Sequence, residues 1–138
     1  SQKEALILAS IVEKETGKSS ERAHVAGVFI NRLRKRMRLQ SDPTVIYGIT
    51  NGQMLLGRPL TRSDLRTKTA FNTYMNFGLP PTPIANAGQK SIESVLHPLK
   101  TDDLYFVADG SGGHVFAQTL RQHNQNVSEW RKLEKLKK

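Results

Sequence analysis

The segment from Leu6 to Gly17, Leu-Ile-Leu-Ala-Ser-Ile-Val-Glu-Lys-Glu-Thr-Gly, constrains this chain more than any other. It reads as a nearly all-apolar helix that must be buried, and it delivers two carboxylates, Glu13 and Glu15, just before a stop signal. In a helix Glu15 shares a face with Leu8, Ile11 and Val12, so one side of it is set in hydrocarbon. Burial disfavours the anion and raises a carboxyl pKa. Gly17 as C-cap puts Glu15 in the last turn, where the negative end of the helix dipole pushes the same way. A general acid needs that tuning, because an unperturbed Glu, at ~4.3, is ionised at pH 7. The ordinary reading stands beside it: a Glu-Lys-Glu at a helix end is as a rule a solvated tip. The motif alone does not decide.

At 138 residues, 37% hydrophobic and 24% charged, the chain is one globular domain with a proper core. It has no apolar run of about 18 residues and no signal peptide at its start, so the chain as given is expected to be soluble. Because it opens inside a helical pattern, it reads as a piece of something longer. The absence of cysteine excludes disulfides and thiolate metal sites and leaves the compartment open. His24, His97, His114 and His123 show no short metal-ligand spacing, so neither a metal nor a cofactor is expected. The balance of 21 basic against 12 acidic residues gives +9, which points to an anionic partner: nucleic acid, an acidic membrane face or a polyanionic cell-wall polymer. Two clusters carry much of it, Arg32, Arg34, Lys35, Arg36 and Arg38, then Arg131, Lys132, Lys135, Lys137 and Lys138. Both fall on expected helices, as solvated faces or as phosphate-binding sites.

The coarse pattern is helix-rich with one hairpin. A first helix runs from about Gln2 to Thr16 behind a Ser1 cap. A second begins near Ser20 and Glu21, with Val25, Ala26, Phe29, Ile30, Leu33 and Met37 on its packed face and the Arg-rich side toward water. Asp42-Pro43 is a helix start with Asp42 as N-cap, and Gly48 ends that short helix. Thr61 with Asp64 makes a capping box. From Phe71 to Gly88 prolines and glycines forbid regular structure, yet the stretch carries Tyr74, Phe77, Leu79 and Ile84; it is either a binding-site wall or a core-covering loop. A helix from Gln89 to His97 stops at Pro98. Leu104 to Ala108 and His114 to Gln118 form a hairpin about Asp-Gly-Ser-Gly-Gly. The tail after Asn126, with Glu129 three residues on, reads as a capped helix whose buried edge is Trp130, Leu133 and Leu136.

Six blocks in order resemble a known family: Ala-Ser-Ile-Val-Glu-Lys-Glu-Thr at 9 to 16, Val-Phe-Ile-Asn-Arg-Leu at 28 to 33, Leu-Gln-Ser-Asp-Pro-Thr-Val-Ile-Tyr-Gly at 39 to 48, Asn-Thr-Tyr at 72 to 74, Gly-Leu-Pro-Pro at 78 to 81, and Leu-Tyr-Phe-Val-Ala-Asp-Gly with Gly-Gly-His within 104 to 114. They are similar to the YceG-like endolytic murein transglycosylases (MltG type), over nearly the whole chain. Phe71 stands where that family commonly has Tyr, and Ala87 where it commonly has Pro. The resemblance implies an α+β, helix-rich single domain with a small β-hairpin sheet and a lysozyme-like catalytic helix, residues 1–138 being the catalytic domain. It implies cleavage of the β-1,4 bond between N-acetylmuramic acid and N-acetylglucosamine within peptidoglycan glycan strands, leaving 1,6-anhydro ends. It further implies a bacterial inner-membrane protein whose catalytic part lies on the periplasmic side, beside cell-wall synthases. The membrane helix and LysM-like domain expected before this region are absent from the chain.

Position by position, the resemblance makes Glu15 the catalytic Glu, acid first and then base, with Glu13 as supporting or rival carboxylate. Gln40, Ser41, Asp42 and Tyr47 would bind near the scissile bond. Asn72, Tyr74, Leu79, Pro80 and Asn86 would form a loop wall, and Tyr105, Phe106, His114 and Phe116 a hairpin wall. Asp42 keeps its alternative as a purely structural cap. Two rival functions remain: a hydrolytic muramidase, which differs only in its acceptor, and a non-catalytic basic module for an acidic polymer or nucleic acid. The latter would want aromatics interleaved with Arg and Lys, whereas Tyr105, Phe106 and Phe116 sit apart from the basic clusters.

Overall fold

A computed structural model describes residues 1–136; Lys137 and Lys138 of the second basic cluster lie outside the described residues. The order is α1 (Gln2–Glu15), a 3-10 turn (Ser19–Glu21), α2 (Arg22–Arg34), α3 (Asp42–Thr50), α4 (Arg62–Leu65), α5 (Gln89–Leu96), the antiparallel strands β1 (Tyr105–Ala108) and β2 (His114–Ala117), and α6 (Leu120–Leu136). This is the expected α+β arrangement.

Helix α1 opens on a complete capping box, Ser1 Oγ accepting from Glu4 N while the Glu4 carboxylate accepts from the Ser1 amine. Its residues from Ile7 to Val12 are all buried. Of these, Leu8, Ile11 and Val12 form the core with Val25, Ala26 and Phe29 of α2 and with Leu39. The irregular 71–88 segment covers that core: Ile84 is buried in it, and Ile84 N donates to the buried Ser10 hydroxyl at 3.0 Å. Helix α2 carries Gly27 where a Cβ would stand 2.5 Å from the carbonyl of Leu99, so the 98–101 strap lies directly on the helix.

Several boundaries correct the sequence reading. Helix α2 ends at Arg34 in a Schellman-type turn, Met37 N reaching Arg32 O and Arg36 N reaching Leu33 O with Arg36 at φ 56°; Met37 therefore leaves the helical stripe. Arg32 does not face water with Arg34, Lys35 and Arg36 but is 7% exposed. In α3 the N-cap position is Ser41, Asp42 is the first helical residue, and the helix continues through Gly48 to a left-handed Asn51. Gly48 is required by packing, since a Cβ there would collide with the Thr69 side chain. The Thr61–Asp64 capping box is present, and Arg58 adds two bonds to the same carboxylate, holding Asp64 well below the usual carboxylate range. Helix α6 begins six residues before Asn126, and Leu136 is 81% exposed rather than buried. The face turned to the hairpin is His123, Val127 and Trp130, spaced four and three apart; Leu136 lies about 120° around from Trp130.

Candidate active site

Glu15 is the last residue of α1, and Thr16 turns away in extended conformation after it. Its neighbours on the helix face, Leu8, Ile11 and Val12, are buried. The carboxyl opens into a cleft of about 380 Å³ between α1, the 39–42 segment, Tyr74, the hairpin and α6. Burial, and after it the negative charge of Asp42, raises the Glu15 pKa from 4.5 to about 8. No hydrogen bond among the described residues holds its anion. Such a carboxyl keeps its proton at neutral pH and can give it up within the cleft.

Asp42 faces Glu15 from the first turn of α3, a position set by the Asp-Pro helix start, and Tyr74 Oη donates to Asp42 Oδ1 at 2.5 Å. Burial and this bond push the Tyr74 phenol far above its ordinary value, so it remains a donor. Gln40 adopts a left-handed φ of 53°, a strained conformation for a non-glycine residue, at the cleft edge. Behind it Arg32 Nε donates to Leu104 O at 2.6 Å and Nη1 to Arg38 O at 2.7 Å, while the guanidinium stands 5.0 Å from the Tyr105 ring centroid. One buried cation thus ties α2, the 38–40 turn and the base of the hairpin together. On the far wall His114 Nδ1 pairs with Glu21 Oε1 at 2.8 Å, and His114 N donates to Glu21 Oε2 at 2.8 Å. Burial alone would raise the Glu21 carboxyl, but these bonds outweigh it and its pKa is lowered.

Of the residues singled out in sequence, Glu15, Gln40, Asp42, Tyr74, Phe106 and His114 meet around this cleft. The others do not line it. Glu13 points the other way, its Oε1 accepting from Gly88 N at 2.8 Å and Ser91 Oγ at 3.0 Å; those bonds hold its pKa below the ordinary value. Ser41 is fully buried, its N–H on Thr73 Oγ1. Tyr47 packs on Phe71, ring centroids 4.7 Å apart, beside a separate groove. Asn72 is buried and bonds Leu65 O and Thr67 O, pinning the chain that presents Tyr74. Leu79 packs against the core, Pro80 is buried, and Asn86 is exposed away from the cleft. Tyr105 lies behind the wall, stacked on His123 at 4.9 Å, and Phe116 stacks on His24 at 3.4 Å, which in turn bonds Asp103.

Sequence reasoning missed Arg32, His123, Val127 and Trp130 as parts of this site. Arg32 follows Phe29 by three and Val28 by four, which places it on the buried stripe of α2; that spacing was the available signal. His123 escaped because α6 was expected to start later. Its pKa is lowered by burial and then by the Arg32 charge, which favours the neutral ring. Among the described residues no cluster of three or more His, Asp or Glu side chains could hold a metal ion.

The YceG-like family model matches residues 1–129. The chain is 48% identical over 120 residues to the endolytic murein transglycosylase of Bacillus subtilis (strain 168), covering 87% of this chain and 32% of that protein. It is 39% identical over 132 residues to the endolytic murein transglycosylase of Streptococcus pneumoniae serotype 2 (strain D39 / NCTC 7466), covering 91% of this chain and 23% of that one. The chain therefore spans a third or less of the curated relatives it matches. A crystal structure of a YceG-like protein from Listeria monocytogenes superposes with a TM-score of 0.81 at 44% identity, over 88% of this chain and 38% of that one.

Proposed function

This chain belongs to the YceG-like family, and from that membership and the cleft we propose that it is the catalytic domain of an endolytic lytic transglycosylase acting on peptidoglycan glycan strands. The observation that carries the reading is Glu15: a carboxyl kept protonated to about pH 8 at the wall of an open cleft. Glu15 gives its proton to the glycosidic oxygen as the bond to the muramyl anomeric carbon breaks. The sugar's own acetamide oxygen closes on that carbon and carries the positive charge, with the Asp42 carboxylate, steadied by Tyr74, facing it. The Glu15 carboxylate then takes the proton of the C6 hydroxyl while O6 attacks the anomeric carbon and displaces the acetamide. The 1,6-anhydro ring forms, Glu15 is protonated again, and no water is consumed.

One observation favours the hydrolytic alternative. Asp42 is a second carboxylate in the same cleft, and a paired carboxylate can activate water as well as face a cation. Mass spectrometry of products from purified peptidoglycan separates the two: anhydro ends lighter by one water support the transglycosylase, and hydrated ends throughout refute it. The same proposal puts the domain outside the cytoplasm on a bacterial inner membrane, working beside cell-wall synthases. It calls for no nucleic acid partner: Arg34, Lys35 and Arg36 at the end of α2 are exposed and read as a solvated face. No helix among the described residues is long and apolar enough to cross a membrane.

A further inference from the structure

The cleft does not end at Glu15. A second groove, of about 420 Å³, shares Glu15, Ala108, His114 and Trp130 with the first and continues past them between Gly17 and the hairpin turn. Each compartment is within the ~300–1,000 Å³ range of small-ligand sites. The catalytic carboxyl therefore stands at a junction, with room on both sides.

The second groove has a built wall and an empty floor. The turn from Asp109 to Gly113 is glycine-rich but fixed. Asp109 Oδ1 accepts from Ser111 N at 2.9 Å and from Ser111 Oγ at 2.6 Å, and Asp109 N donates to Gly113 O at 3.2 Å. A Cβ on Gly110, at φ 91°, would touch Leu133 Cδ1 at 3.3 Å, and one on Gly113 would meet Glu21 Oε2 at 2.8 Å. The turn is thus held between α6 and the Glu21–His114 pair. Gly17 is the opposite case: its φ lies outside the left-handed region, and a Cβ on it would meet nothing within 4 Å. Neither backbone conformation nor internal packing calls for glycine there, and a side chain would stand in open space on the lining of the groove. Among the described residues the N–H groups of Gly17, Gly110 and Gly112 have no protein acceptor, so this arm offers backbone donors beside the Trp130 ring, which suits a sugar's hydroxyls, acetamide carbonyl and apolar ring face.

Resting on the catalytic reading of Glu15, we propose that the groove between Gly17 and the 109–113 turn is the leaving-side saccharide arm. It holds the N-acetylglucosamine released at its O4 and the strand beyond it, while the Asp42–Tyr74 side holds the muramyl residue that becomes the anhydro end. The division follows charge. Positive charge develops at the muramyl carbon, which belongs beside Asp42. The departing sugar stays neutral and needs only hydrogen bonds and a ring face.

The test is an amide NMR titration of the Glu15→Gln protein with uncrosslinked glycan strands several disaccharides long, joined to kinetics of Gly17→Ala and Gly17→Leu in the otherwise unchanged enzyme. The expected result is shifted amides at Gly17, Gly110 and Gly112 together with Gln40 and Tyr74. The kinetics should show a graded loss of kcat/KM, about tenfold or more for Leu, carried mainly by KM, with melting temperatures unchanged. Shifts confined to Gln40 and Tyr74, or wild-type kinetics in Gly17→Leu, would overturn the leaving-side arm and leave the transglycosylase reading standing. Shifts in neither arm would overturn both. Should Gly17→Leu melt early, Gly17→Ala and the titration decide.

Discussion

Glu15→Gln should gain stability as it loses turnover, and the gain should depend on pH in a way that only a buried neutral acid produces. The folded protein raises this carboxyl from 4.5 to about 8, a preference for the neutral form of about 5 kcal/mol. A carboxyl raised in this way contributes fully to stability below its unfolded pKa. That contribution is lost as pH rises through the window, because the unfolded chain releases a proton that the folded chain keeps. Between pH 4.5 and 8 the wild type should therefore lose about 1.4 kcal/mol per pH unit relative to a Gln variant that has no proton to lose. The difference should be near zero at pH 4.5, about 3 kcal/mol at pH 7 and level above pH 8, a melting-temperature gain of roughly 10 °C or more at the alkaline end. Thermal unfolding of both proteins across pH 4 to 9 measures it directly, because all other titrating groups cancel in the difference. A flat difference, or a wild type more stable than the variant at pH 8.5, would refute the buried-acid argument. In the same protein turnover should fall by about 10²–10⁴, the usual worth of a general acid, with glycan binding retained. Loss of turnover in Glu13→Gln with near-normal turnover in Glu15→Gln would reverse the assignment of the acid.

The remaining expectations concern its neighbours. Asp42→Asn removes the second cause of the raised pKa, so the alkaline limb of the kcat/KM profile should move to lower pH, and the stability gain from Glu15→Gln should shrink in that background; an unmoved limb would show that Asp42 does not face the acid. Glu13→Ala leaves Gly88 N and Ser91 Oγ without their acceptor and should cost about 1–3 kcal/mol by denaturant titration with kcat nearly intact. Arg32→Met strands the carbonyls of Leu104 and Arg38 and should cost about 2–4 kcal/mol and detach the hairpin base, seen as faster hydrogen exchange in residues 104–117. Activity should survive EDTA; a zinc-reversible loss would contradict the metal-free mechanism.

How much of this was legible in sequence depended on the range of the interaction. Glu15 on its apolar stripe, the Thr61–Asp64 box and the hairpin are written within a few residues, and local period or turn chemistry reads them. Arg32 was misread because an arginine counts as polar whatever stripe it occupies, although its spacing from Val28 and Phe29 placed it inside. Tyr74 and Asp42 are 32 positions apart. Their bond depends on Asn72 and Thr73 anchoring an irregular segment against α3 and α4, which no periodicity encodes. The second groove was invisible for a plainer reason: a glycine chosen to leave space looks in sequence like a glycine chosen to turn or to cap.

The two carboxylates at the end of α1 show how one helix can hold an anion on one side and a protonated acid on the other. Residues two apart on a helix point about 200° from each other, so Glu13 and Glu15 cannot share surroundings. On Glu13's side the chain supplies two donors, from Gly88 and Ser91, and the anion becomes a strut between α1 and α5. On Glu15's side it supplies hydrocarbon, an open cleft and a second negative charge, and the proton stays. The helix end repels both carboxylates alike, so the dipole cannot be what separates their pKa shifts. The local partners do, and moving the pair by a single residue along the helix would take the carboxylate away from the Gly88 and Ser91 donors and bring Lys14 or Thr16 to the cleft position.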